Sequence, residues 1–364
     1  MRVLAVDVGT GTQDILLFDT GREPENCFKM VMPSPTVMVA EQIRRTTTQG
    51  AELLLTGVTM GGGPCAWAAE AHVEAGYPVY ATPDAARTFN DDLDEVAQMG
   101  VEVVGEDEAA ELQNVERVTM QDLDVEAIRR ALSLFGVDSG FDALAVAAFD
   151  HGNAPVGYSD RQFRFDYLAE RLGARKDLVA FAFWRDDIPP VMTRLLAVAQ
   201  TAPTDVPLLV MDTAPAAVLG ALEDPRVAAP RFSVVVNVGN FHTLAFRLCD
   251  GQIEGLFEHH TGLLTRDKLE ALLGQLAEGT LCHEALFTDH GHGALMFDRQ
   301  PMPLDFLAVT GPCRSVLKGS SYRPYMAVPY GDMMMAGCWG MVRALAESWL
   351  ARQDEIEAAL EAGS

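Results

Sequence analysis

Apolar runs punctuated by glycine set the pattern of the chain from its first residues. Residues 2–8 form a β-rich run that enters Gly9-Thr10-Gly11-Thr12, and residues 14–19 form a second such run. Two strands joined through a glycine turn predict a hairpin. A third strand is expected over residues 28–32 and another over 52–58. The triplet Gly61-Gly62-Gly63 then leads into an alanine-rich helix at 65–75. Residues 79–81 read as strand, and 84–99 as one helical segment. Helical spacing over 125–135 stops at Gly136. Residues 143–149 are continuously apolar, as in a strand covered on both faces. Ser159 is placed to cap a helix reaching Leu172. Pro189-Pro190 is expected to open another, ending before Ala202-Pro203.

The second half repeats the theme. Strand 208–211 and helix 216–222 are followed by strands at 233–238, 243–248 and 252–257. A helix over 266–278 is stopped by Gly279. A strand at 306–310 and one long helix from Asp332 to Leu360 complete the chain. This alternation predicts an α/β fold containing hairpins that a purely parallel sheet would lack. At roughly 150 residues per domain, 364 residues suggest two domains. The Pro- and Ala-rich stretch 223–230 is the expected boundary, and a cleft would hinge near residues 220–230. The acidic stretch 102–124 reads as a surface excursion.

Composition narrows the function classes. Hydrophobic residues make up 49% and charged residues 22%, a globular balance. Twenty-seven basic against 52 acidic side chains leave a net charge of −25. Such a surface repels a phosphate backbone, so no nucleic-acid partner is expected. A single nucleotide is still admissible, because one glycine-rich loop and a Mg²⁺ ion override the global field locally. No apolar run approaches the roughly 18 residues of a membrane span, and Asp7 interrupts the first run too early for a secretory leader. The cysteines at 27, 65, 249, 282, 313 and 338 show no C-x-x-C spacing. Reduced thiols in a cytoplasmic protein are expected, and neither a zinc ribbon nor an iron–sulfur cluster is supported.

One internal echo carries chemistry. VLAVDVGT at residues 3–10 is repeated loosely as VVVNVGN at 234–240: strand, polar residue, x-Gly, polar residue, second strand. Backbone N–H groups in such a turn converge on one cavity and can bind a phosphate chain, and glycine permits the close approach. A carboxylate ending the preceding strand, here Asp7, can hold Mg²⁺ opposite the same phosphates. Two such turns facing each other would clamp a nucleotide. Taken alone, either one equally describes an ordinary hairpin turn.

In combination, these segments resemble the actin, Hsp70 and sugar-kinase ATPase superfamily. AVDVGTGTQDILLFD (residues 5–19) resembles its first phosphate motif and VVVNVGNFHTLAF (234–246) its second, with a G-x-x-H-T also similar to the carbamoyltransferase-like branch. MDTAPAAVLGAL (211–222) is similar to the connecting helix, AVTGPCRSVL (308–317) to the adenosine motif, and GDMMMAGCWGMVRAL (331–345) to the closing helix. The resemblance implies two actin-like ATPase domains, ribonuclease H-like in fold, around a nucleotide cleft. They would span residues 1–225 and 226–340, with a closing helix at 341–364. It implies ATP and Mg²⁺ as cofactors. Gly9, Thr10, Gly11, Thr12, Gly239, Asn240, His242 and Thr243 would lie at the phosphates, Thr310 and Gly311 at the adenosine, and Asp7 at the metal. Asn237 stands where many members carry Asp. Asp212 lies near the position of a catalytic Asp in hexokinase-like members, about one residue out of register. The chain also resembles a bacterial and archaeal family labelled as pyruvate formate-lyase activating enzymes, but the cysteine spacing argues against that activity.

Other residues suggest substrate contacts. Asp150-His151-Gly152 closes the apolar strand, where an open α/β sheet lines its ligand crevice. Asp150 or Asp212 could therefore accept a substrate proton. Gly62 and Gly63 could admit an anionic group at a helix N-terminus. Six of the eight histidines fall between 242 and 292. Adjacent His259 and His260 would point to opposite faces of a strand and could not easily share a metal there, though on a loop they could. A metal site among these histidines is the rarer reading beside helix caps and ordinary hydrogen-bonded imidazoles, and either of the pair could be a substrate or phosphate contact. Residues 289–293 read as a loop rather than a ligand set. Arg161 and Arg164 could bring cations towards an anionic substrate, although a solvated helix face is the commoner reading. The activity that follows is ATP-dependent phosphoryl transfer to a small metabolite. Alternatives are an ATP-hydrolysing switch acting on a partner protein, and carbamoyl or acyl transfer. A homodimer is compatible with all three.

Overall fold

The computed structural model describes residues 1–304 and 306–362. The chain opens as a meander of β1 (Arg2–Val8), β2 (Thr12–Asp19) and β3 (Phe28–Pro33). It then leaves for a parallel four-stranded sheet of β4 (Glu52–Gly57), β5 (Val79–Ala81), β6 (Val101–Val103) and β7 (Val115–Met120), ordered β6-β5-β4-β7. It returns as β8 (Ala143–Ala148), β9 (Ala182–Trp184) and β10 (Leu208–Met211). The completed first sheet runs β3-β2-β1-β8-β10-β9. The second half supplies β11 (Phe232–Val238), β12 (His242–Cys249), β13 (Gln252–His260), β14 (Gly293–Met296), β15 (Leu307–Thr310) and β16 (Tyr325–Met326), ordered β14-β13-β12-β11-β15-β16.

The two six-stranded sheets share one plan. In each, an antiparallel three-strand meander is followed by two strands parallel to its first, giving the order 3-2-1-4-5. The extra strands, β9 and β14, add antiparallel edges. This duplicated plan is the ribonuclease H-like arrangement of actin-like ATPases. It was legible as the echo between residues 3–10 and 234–240.

Strand alternation decides what faces the middle of the molecule. In β1, Val3 and Ala5 join the core shared with the helices between the halves, whereas Leu4, Val6 and Val8 pack under the outer helix Val125–Leu134. Asp7 therefore falls on the inner face. By the same alternation Val235 and Asn237 of β11 face inward, while Val234, Val236 and Val238 face outward. The connecting helix (Thr213–Ala221) and the closing helix (Ala336–Ser348) cross between the sheets. A Cβ on Gly220 would lie 1.7 Å from the Ala336 carbonyl, and one on Gly340 1.8 Å from that of Ala216. The helices touch backbone to backbone.

Several expectations are corrected. The acidic 102–124 stretch contributes β6 and β7 to a sheet with its own apolar core rather than a surface excursion. Residues 84–99 split into Pro83–Ala86 and Leu93–Gln98. The double proline precedes, and does not open, the helix Thr193–Thr201. The expected long C-terminal helix breaks into Ala336–Ser348 and Gln353–Glu361, and the last two residues of the 341–364 segment lie outside the described residues. The 223–230 connection is fastened: Asp224 Oδ2 accepts from Tyr325 Oη at 2.8 Å and the Val328 N–H at 3.1 Å. Among the described residues no helix is long and apolar enough to cross a membrane.

Candidate functional site

The hairpin turns of the two halves are built alike. The Gly9 N–H donates to the Thr12 carbonyl at 2.9 Å, and the Gly239 N–H to the His242 carbonyl at 2.9 Å. The turns face each other so closely that a Cβ on Gly11 would lie 2.7 Å from the Asn240 side-chain nitrogen. Between and around them is a cleft of about 370 Å³. Its wall includes Gly9, Thr10 and Thr12 from the first turn, Gly239, Asn240 and His242 from the second, and Thr310 and Gly311 beyond β15. Asp7, Gly62, Gly63 and His151 line it as well.

Asp7 sits where the first sheet, the connecting helix and the closing helix meet. Its Oδ1 accepts from the Thr213 hydroxyl, and a Cβ on Gly337 would fall 1.8 Å from its Oδ2. Burial, with the nearby negative charge of Asp212, raises its pKa to about 7 against the help of that hydroxyl. Across the hairpin stands Asp14, in register with Asp7 and also lining the cleft. Burial and the Asp7 charge push Asp14 up to about 8, and its Oδ1 is buried without a hydrogen-bond partner. Two carboxyls held this way favour a cation between them and a polyanion. The residues thus fit a Mg²⁺-bound nucleotide.

Asp150 and Asp212 do not line the cleft, contrary to expectation. Asp150 accepts from the N–H groups of Gly152 at 2.8 Å and Leu195 at 2.9 Å. Asp212 caps the connecting helix through the Ala214 N–H at 3.2 Å and pairs with Arg164 at 2.8 Å. Both carboxylates are thus engaged, and both line a second, smaller cavity beside Arg164. Thr243 also departs from its expected place at the phosphates: it is fully buried, sharing a hydrogen bond of 2.9 Å with Thr261. His259 lies on the opposite strand face from His260, as alternation requires. It is buried against the 286–291 turn, where its Nδ1 donates to the His260 carbonyl at 3.1 Å.

Sequence reading missed several residues. Arg164, expected on a solvated face, is 2% exposed and joins Asp212 to Glu258, 2.6 Å from its Nε. Glu258 is fully buried and also meets Nδ1 of His242 at 2.9 Å. Arg194 lines the cleft, held by Asp122 at 2.6 Å and by the Phe149 carbonyl at 2.7 Å. No motif marked these three, because the partners named here lie 16 to 94 residues away. His292, expected on a loop, is buried beside His242 and His260.

Comparison with known proteins adds a family. Residues 60–316 match the family described as "Putative pyruvate format-lyase activating enzyme (DUF1786)". No curated protein matches the chain. Similar solved structures include "Lmo2764 protein, a putative N-acetylmannosamine kinase, from Listeria monocytogenes", 10% identical over 96% of this chain and 99% of that one, TM-score 0.37. Another is the ROK hexokinase from Thermus thermophilus, 12% identical over 94% and 98%, TM-score 0.31. A third is the psk41 ParM protein, 11% identical over 97% and 99%, TM-score 0.32. Strand order and register identify the fold. Of the cysteines, Cys27, Cys65 and Cys338 are buried, and among the described residues no cysteine belongs to a group placed to share a metal ion. The chain belongs to the DUF1786 family, built on the duplicated actin-like ATPase fold.

Proposed function

We propose that the protein binds Mg-ATP in the cleft and transfers a phosphoryl group to a small metabolite. One observation carries this reading: two identically closed glycine turns, one from each half, meet across a cavity that contains buried, partly unpartnered carboxyls. The N–H groups of Thr10–Thr12 and Asn240–His242 would hold the phosphate chain, those of Gly9 and Gly239 being spent on closing the turns. Asp7, with Asp14 behind it, would hold the magnesium, which neutralises charge on the phosphates. Gly62 and Gly63, in the cleft wall beside Thr88 and Phe241, would contact the acceptor. Positioning and charge neutralisation supply most of the catalysis in phosphoryl transfer. The role suggested for Asp150 and Asp212 becomes that of positioning residues, one tying the 194–195 segment and the other setting the start of the connecting helix.

Thermal unfolding with and without saturating Mg-ATP tests the reading. A ligand bound at a hundredfold excess over its dissociation constant adds about 2.7 kcal/mol of stability, so a rise of several degrees is expected. No rise with ATP, ADP or a non-hydrolysable analogue would sink it.

A further inference from the structure

The histidines at the open end of the β12–β13 hairpin form a group whose side chains the proposed phosphate clamp, built from backbone N–H groups, does not use. His242 and His260 are cross-strand partners, so they project from the same face. His292 reaches the same place from the turn before β14, its N–H bonded to the Glu258 carbonyl at 2.9 Å. The ring centroids lie 5.4 Å (His242–His260), 4.7 Å (His242–His292) and 4.5 Å (His260–His292) apart. One ligating nitrogen from each ring lies within 4.8 Å of the others.

The hydrogen bonds around the rings favour a ligand. Glu258 engages Nδ1 of His242, which leaves Nε2 of that ring to face outward. His292 is 2% exposed, yet its Nδ1 has no hydrogen-bond partner. A buried polar nitrogen without a partner is rare and asks for an explanation. Glu258 stands behind two of the three rings, 2.9 Å from Nδ1 of His242 and 3.7 Å from Nε2 of His292, and is itself anchored by Arg164.

We infer that His242, His260 and His292 bind one divalent transition-metal ion of the zinc type, oriented by Glu258. Three imidazoles suit zinc, cobalt or iron, whereas magnesium prefers oxygen. A carboxylate bonded to the far nitrogen of a ligating histidine fixes its tautomer and ring orientation. Tetrahedral zinc bonds of about 2.0–2.1 Å place nitrogens roughly 3.4 Å apart, a distance these rings reach by rotating towards their common centre. His242 also lines the cleft, so the ion would lie at the cleft wall with a coordination position left for a water or a substrate oxygen. This site stands apart from Asp7, and the inference does not depend on nucleotide binding.

Chelator-stripped full-length protein should be titrated with Co²⁺ and followed by visible absorption, with bound metal counted by mass spectrometry after dialysis against Zn²⁺. The expected result is one equivalent per chain with imidazole-ligated d–d bands. Binding should survive Asp7→Asn and be lost in His260→Asn, whose side chain is only partly buried and whose fold is checked by circular dichroism. Glu258→Gln should weaken affinity by about 10–100-fold, as loss of an outer carboxylate does elsewhere. Should Glu258→Gln fail to fold, the His260→Asn comparison decides alone. Substoichiometric uptake by the wild type, or uptake unchanged in His260→Asn, would overturn the site. Uptake lost in Asp7→Asn would do the same by moving the ion to the phosphate turns.

Discussion

At the scale of single residues, the cleft depends on where a carboxyl falls on a two-residue period. Asp7 follows Val3 and Ala5 on the inner face of β1, and its burial raises its affinity for a proton. Asp7→Asn should keep the fold, since it removes a buried charge without changing volume much. Mg-dependent nucleotide binding should weaken, and turnover should fall by on the order of a hundredfold, measured by calorimetry and by phosphate release. Wild-type affinity in the variant would reduce the first turn to a plain hairpin. Asp7 and the two glycine turns were legible because the motif is contiguous and occurs twice. Thr243 was misread because its neighbour His242 lines the cleft, and in a strand the next side chain points the other way. Asp150 and Asp212 do stand at strand ends, as read, and each is held there by a partner from a distant part of the chain that no motif announced.

At the scale of elements, the connecting and closing helices define how the halves join. Their crossing has room only for backbone at Gly220 and Gly340. Gly340→Ala should force the helices apart and destabilise the protein by at least about 1–3 kcal/mol, read from urea unfolding; no change would mean that the crossing is loose. The inserted sheet permits a second test. His72, on the helix Pro64–Glu74, is fully buried with Nδ1 2.8 Å from the Thr47 hydroxyl, and burial holds its pKa below the ordinary 6.5. The unfolded chain then takes up the proton more readily, so His72 favours folding above about pH 6.5 and opposes it as the pH falls. His72→Gln should flatten the loss of stability between about pH 7.5 and 5.5, whatever its effect at neutral pH. Most strands of the two main sheets were legible from apolar runs and glycine stops. The helix Pro35–Gln49 was missed because its polar residues, from Arg44 to Gln49, hide the spacing of Val39, Ala40 and Ile43. Broken helices were misread because the interruption at 87–92 and the one at 349–352 carry no proline or glycine.

At the scale of the molecule, the halves are joined unequally around the cleft. On one side Arg164 binds Asp212 in the first half and Glu258 in the second, all three buried. On the other, the inserted lobe reaches the second turn through the half-exposed Trp67, whose ring lies 5.5 Å from that of Phe241. Separating a buried ion pair costs several kcal/mol, about 3–5 when one partner is lost, whereas parting two aromatic rings costs about 0.5–1.5 kcal/mol beyond their area. Hydrogen exchange should therefore show residues 61–67 and 239–241 slowing on nucleotide addition, with 160–164 and 256–260 slow throughout. Equal slowing on both sides would contradict this asymmetry.

The ion bridge through Arg164 would also bear on the route by which a ligand of the proposed kind enters and leaves. A cleft pinned along one margin would work as a doorway with a fixed jamb, opening falling to the inserted lobe. Residence time would then be governed by how firmly Trp67 latches on Phe241, while the reacting groups near Asp7 keep their spacing throughout the traffic. Variation in the lobe can thus retune exchange with solvent without disturbing the chemistry at the turns.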